Sequence, residues 1–115
     1  MRLPQKVIRE RQEERAALLR QAREYVRELG KVISLRHAYV IGSVARGVYN
    51  VHSDIDVLVI SDDLPPHPLE RAEFLYRLAP PRVEPKGYTT REWRSMQRRR
   101  NPIALEVSAG NRVKL

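Results

Sequence analysis

The 115-residue chain contains no cysteine, which excludes a disulfide framework, a thiolate metal site and a cysteine nucleophile. No apolar run comes near the roughly 20 residues that a membrane helix needs. The opening Met1-Arg2-Leu3-Pro4-Gln5-Lys6 lacks the apolar stretch of a secretory signal, so a cytoplasmic location is expected. Internal repeats and low-complexity segments are missing as well. Only three histidines occur, His37, His52 and His67, and they are scattered without ligand spacing. Acidic residues are in deficit: 14 Asp plus Glu stand against 22 Lys plus Arg, for a net charge of +8.

Against these absences, 42% hydrophobic residues supply one modest core, more than a disordered chain carries. The length fits one domain spanning 1–115. Most of the positive excess is arginine, between Arg9 and Arg27 and between Arg91 and Arg100. Residues 1–30 read as an N-terminal helix. Ile8, Leu18 or Leu19, Ala22, Tyr25 or Val26, and Leu29 recur at three- and four-residue steps. Glu13, Glu14, Glu24 and Glu28 interleave with the arginines and allow i,i+4 pairs on a solvated face. Gly30 stands where a helix stop belongs. A solvated face accounts for this charge without a nucleic-acid partner, which is the lesser reading.

The remainder mixes strands and helices. Lys31 to Leu35 is a weak strand or linker, and Ala38 to Ile41 a first core strand. Val44-Ala45-Arg46-Gly47 makes a helical turn or two, closing near Asn50. Asp54 to Ser61 is the strongest strand, with Ile55, Val57 and Val59 on one side and Leu58 and Ile60 on the other. Pro68 opens a second helix that Pro80-Pro81 stops. Arg82 to Tyr88 predicts a third strand. Thr89 and Glu92 have capping-box spacing before a helix that includes Trp93 and Met96, with Arg98-Arg99-Arg100 in its last turn. Ala104 to Ser108, a turn at Gly110-Asn111, and Arg112 to Leu115 predict a closing strand or hairpin. The expected fold class is α+β, a small mixed sheet with helices packed on it.

The chemistry is concentrated between Gly42 and Asp56. Strand alternation places Asp54 and Asp56 on one side, about 7 Å apart at Cβ. Carboxylates so placed can converge on one divalent cation or flank two metals ~4 Å apart; Mg²⁺ favours a few carboxylates plus water and substrate phosphates. The plain alternative, two aspartates facing water, is weakened because Leu58 and Ile60 continue the same face as core residues. Gly42-Ser43 lies between a strand and a helix start. A glycine there lets backbone approach a phosphate, at the positive end of the helix dipole, and Ser43 adds a hydroxyl donor. Alone it is an ordinary turn; its weight comes from preceding the paired carboxylates. A phosphate cradle beside a metal site suits phosphoryl or nucleotidyl transfer. Arg46, about one turn on, can reach a triphosphate, pair with an aspartate, or pack on the sheet.

Together, Gly42-Ser43-Val44-Ala45-Arg46-Gly47 and Ser53-Asp54-Ile55-Asp56-Val57-Leu58-Val59 resemble the nucleotidyltransferase superfamily that includes DNA polymerase beta. Within it the chain is most similar to the minimal nucleotidyltransferases, small domains often encoded beside a HEPN partner, over roughly residues 30 to 115. The resemblance implies a polymerase beta-like fold with residues 31–115 as catalytic core, ATP as substrate, and two Mg²⁺ ions held by Asp54, Asp56 and a third carboxylate. Glu84 is the candidate for the third, although Pro85 directly after it departs from the pattern and marks an edge strand; Glu106, on the closing strand, is the fallback. Gly42, Ser43, Arg46 and Ser53 are the implied nucleotide contacts, with Lys86 a further phosphate candidate by proximity to Glu84. The implied partner is a HEPN ribonuclease toxin that receives AMP on a tyrosine, in a hetero-oligomer; a homo-oligomer is the alternative when the chain is alone. Neither membrane nor nucleic acid is an expected partner. Two other functions stand beside this one: a catalytically inactive antitoxin that occludes its partner, and a nucleic-acid-binding module driven by the +8 charge.

Overall fold

The run Ile55–Ile60 has no side chain that escapes burial except Asp56, which is half-buried. A strand apolar on both faces needs a layer on each side, and the helices supply them. In the computed structural model, which describes residues 3–50 and 52–115, the elements in chain order are α1 (Gln5–Leu29), β1 (His37–Ile41), α2 (Gly42–Arg46), β2 (Ile55–Ile60), α3 (Pro68–Arg77), β3 (Val83–Tyr88), α4 (Thr90–Arg98), α5 (Pro102–Ser108) and β4 (Val113–Lys114). The first two residues of the expected N-terminal helical segment lie outside the described residues. The α+β class is as expected, with a mixed four-stranded sheet in the order β3-β2-β1-β4. The β1–β2 and β1–β4 pairs are antiparallel and β2–β3 is parallel, with α3 as the crossover.

Ile55, Val57 and Val59 face a cluster containing Leu18, Leu19, Ala22, Tyr25 and Leu29 of α1 and Leu75 of α3. Leu58 and Ile60 face Trp93 and Met96 of α4 and Ala104 and Val107 of α5. Tyr25, buried among apolar neighbours, donates its hydroxyl to the Leu75 carbonyl at 2.7 Å; that burial, with Tyr76 nearby, pushes its phenol well above the ordinary value. Among the described residues no helix is long and apolar enough to cross a membrane.

Several expectations need correction. Ala104 to Ser108 is helical, and Glu106 therefore sits on α5, not on a closing strand. Asn101 caps this helix by accepting from the Ile103 N–H at 2.9 Å, and Pro102 occupies its first turn. The spacing of Ala104 and Val107 is three, a helical step that short-range alternation obscures. Of the two readings of Lys31 to Leu35, the linker is the one observed. The apolar stripe of α1 is buried only from Leu18 onward, and Ile8 is exposed. Its charges pair less than expected. Arg27–Glu24 and Lys31–Glu28 are i,i+3 pairs, whereas Arg11 and Arg15 donate to the carbonyls of Tyr49 and Val44, both at 3.2 Å.

The capping box of α4 is present. Thr89 accepts from the Glu92 N–H at 3.2 Å, and Glu92 accepts from the Thr89 N–H at 2.7 Å and from Arg71 at 2.7 Å. Burial alone would raise the Glu92 carboxyl, but the Thr89 amide and the Arg71 guanidinium outweigh it and hold the group below its usual range. Glu92→Ala is expected to cost about 1–2 kcal/mol in urea melts at neutral pH. Because the folded carboxyl ionises lower than the unfolded one, its contribution is complete above the ordinary glutamate range and is lost as pH falls through the depressed value. Wild-type and variant melts should therefore converge in acid.

Candidate active site

The end of β1, the start of β2 and the start of β3 meet in register: Ile41 lies opposite Asp56, and Asp56 opposite Glu84. Immediately after Ile41 the chain turns into α2 through Gly42, whose φ of +73° is left-handed. A Cβ on Gly42 would collide with Asp56 Oδ2 and lie 3.3 Å from its Cγ. Glycine is therefore required twice here, by backbone conformation and by space. Gly47, at φ +77°, stops α2 after five residues, and the Arg15 bond to the Val44 carbonyl ties this short helix to α1.

The flanking bonds on β3 settle the position of Glu84. Ile55 N–H donates to Arg82 O at 2.8 Å and Ser61 N–H to Tyr88 O at 3.0 Å. Parallel pairing alternates, so Glu84, Lys86 and Tyr88 direct their backbone groups at β2 and the Pro85 nitrogen faces away. Proline is harmless in that phase on an edge strand. Glu84 thus sits beside Asp56 on the sheet face that α4 and α5 cover.

A chain of alternating charges connects the site. Lys86 Nζ is 3.0 Å from Asp56 Oδ1 and 3.7 Å from Glu84 Oε1. Burial pulls the Lys86 ammonium down, but the hydrogen bond and charge of Asp56, aided by Glu84, more than offset it and raise the group above an ordinary lysine. On the other flank, Glu106 Oε1 accepts from the Gly42 N–H at 3.2 Å and from the Arg46 guanidinium. Of the three alternatives for Arg46, the structure shows an ion pair, but with a glutamate from α5.

Asp54 lies one residue before β2 and is exposed. Ser43 is half-buried, and its carbonyl accepts from the Val48 N–H at 3.0 Å. Ser53 serves its own loop: its hydroxyl accepts from Asn50 N–H at 2.9 Å, and Arg82 donates to its carbonyl at 2.7 Å. Among the described residues no three carboxylate or imidazole groups converge to enclose a metal ion. Two adjacent carboxylates with a cationic ammonium held between them do fit an open Mg²⁺ site, the kind that is completed by water and phosphate. The roles of Lys86 and Glu106 were the least legible in sequence. Lys86 has only its i+2 spacing from Glu84 on one strand face, and Glu106 has no local signal because α5 brings it across 64 positions to Gly42.

Residues 19–100 match the family model described as a nucleotidyltransferase domain. The chain belongs to this family. The nucleotidyltransferase assignment covers the Gly42–Asp56 motif, β3 and α4, and places the chain's chemistry in nucleotidyl transfer in general. A solved structure from Sulfolobus solfataricus, provisionally described as a nucleotidyltransferase, has a similar fold: TM-score 0.68, 23% identity, covering 90% of this chain and 84% of that one. Comparison with curated proteins gave no match.

Gly42→Ala tests the packing of the nucleotidyltransferase turn. The left-handed φ and the collision with Asp56 together predict a loss of about 1–3 kcal/mol in urea melts. A shift of the Asp56 side-chain resonances should accompany it. Unchanged stability would mean that the turn relaxes freely.

Proposed function

We propose that the chain is a Mg²⁺-dependent nucleotidyltransferase of the minimal type, transferring AMP from ATP to a hydroxyl, namely a tyrosine of a HEPN ribonuclease partner. The observation that carries this reading is the three-strand alignment that sets Asp56 against Gly42 on one side and Glu84 on the other. Asp56 and Glu84 are the paired carboxylates that would hold the metal, with Asp54, exposed just before β2, as the third; the ion when bound would neutralise charge across the triphosphate. The Gly42 N–H, the Ser43 hydroxyl and the Arg46 guanidinium bind the β- and γ-phosphates, and Ser53 shapes the loop that brings Asp54 to the site. Glu84 takes the proton from the acceptor hydroxyl as that oxygen bonds to the α-phosphorus. The bond from the α-phosphorus to the bridging oxygen breaks, and pyrophosphate leaves.

A protein acceptor is supported by the exposed apolar residues Leu69 and Tyr76, seven positions apart on the outside of α3 and so on one helix face. A second reading, an antitoxin that occludes its partner without chemistry, is favoured by one observation: Lys86 already pairs with Asp56 and Glu84, and Glu106 with Arg46.

The pair can be separated with ATP labelled at the α-phosphate, Mg²⁺ and a purified HEPN ribonuclease. Label is expected on the partner from α- but not γ-labelled ATP, and Asp56→Asn should reduce it by about 10³-fold at a temperature where the variant is folded, the several kcal/mol of a lost metal contact. Neutralisation of the ribonuclease that survives Asp54→Ala with Asp56→Ala would favour occlusion instead. Absence of label on any protein would refute adenylylation.

A further inference from the structure

The groups that the proposed reaction assigns to cation and phosphate are each engaged by an opposite group from the chain itself. Lys86 places one ammonium between the Asp56 and Glu84 carboxylates. Glu106 places one carboxylate oxygen on both the Gly42 N–H and Arg46. Neither contact follows from the needs of the core. Ala104 and Val107 already anchor α5, and Leu58 and Ile60 already hold β2. The matching chemistry is close: an ammonium neutralises adjacent carboxylates as a metal ion does, and a carboxylate takes the same amide and guanidinium donors as a phosphate oxygen. Lysine suits a group that must leave, being a hydrated point charge on a four-carbon stem and not a rigid bidentate fork.

We propose that Lys86 and Glu106 are exchangeable internal counter-ions: a divalent cation displaces the Lys86 ammonium from Asp56 and Glu84, and a phosphate displaces the Glu106 carboxylate from Gly42 and Arg46. This rests on the nucleotidyl-transfer reading and adds a control to it. Each half of a metal–nucleotide pair meets a resident competitor, so the two are taken up best together. The displaced Lys86 is then free to pair with a phosphate oxygen.

Each exchange has its own probe. Mn²⁺ alone, followed by electron paramagnetic resonance, reads the first; metal-free tripolyphosphate, followed by calorimetry, reads the second. Lys86→Met is expected to bind Mn²⁺, and Glu106→Gln tripolyphosphate, each about two- to fivefold tighter than wild type, the scale of one partly exposed ion pair. Equal or weaker binding by a folded variant overturns the exchange at that residue. Should Glu106→Gln fail to fold, the wild-type Gly42 amide resonance decides: tripolyphosphate must shift it, and an unmoved signal at saturation overturns the proposal. If wild type and both variants take up neither probe, the nucleotidyl-transfer reading itself falls, a result distinct from wild-type binding that the variants do not improve.

Discussion

The close approach of a glycine to a carboxylate organises this molecule. With no Cβ at Gly42, the turn from β1 into α2 lies directly on Asp56, with a left-handed φ that favours glycine. Everything around the site depends on that contact. β1 and β2 must hold the register that sets Ile41 against Asp56; α2 must stop after one turn at Gly47; α5 must come near enough for Glu106 to reach the Gly42 N–H. A larger residue at position 42 would push the turn off the carboxylate and loosen all three.

Arginine has a different use here from the one its abundance suggests. In α1, Arg11 and Arg15 bind main-chain carbonyls of the α2 segment, and Arg11 also lies 5.1 Å over the Tyr49 ring. Arg71 holds the Pro65 carbonyl at 2.8 Å as well as Glu92, and Arg82 holds Ser53. Guanidinium groups offer five donors in a fixed fork, so one side chain can fasten a loop that has no regular hydrogen-bond ladder. Part of the +8 charge is therefore structural, and net charge alone is a poor guide to a polyanionic partner.

Most of the fold was legible in sequence because its signals are local. The double-faced apolar run of β2, the proline at the start of α3 and the Thr89–Glu92 capping box each announce an element within a few residues. The motif pair was legible for the same reason, since Gly42 and Asp56 stand in one short segment. What sequence hid was long-range. Ala104 to Ser108 reads as strand because a seven-residue helix offers too few turns for its period to stand out. Ile8 fitted the helical period of α1, yet no partner surface extends that far. The Arg46–Glu106 pair joins residues 60 apart, and no spacing rule links positions so distant.

Pro85 has a consequence beyond permitting Glu84 its place. Its nitrogen has no hydrogen, and that nitrogen faces outward on the last strand of the sheet, so the margin of β3 offers an interrupted row of donors. A fifth strand laid along it would lack one ladder bond at Pro85. The opposite margin, β4, is two residues long and equally unsuited to extension. Both borders of the sheet thereby discourage edge-to-edge association.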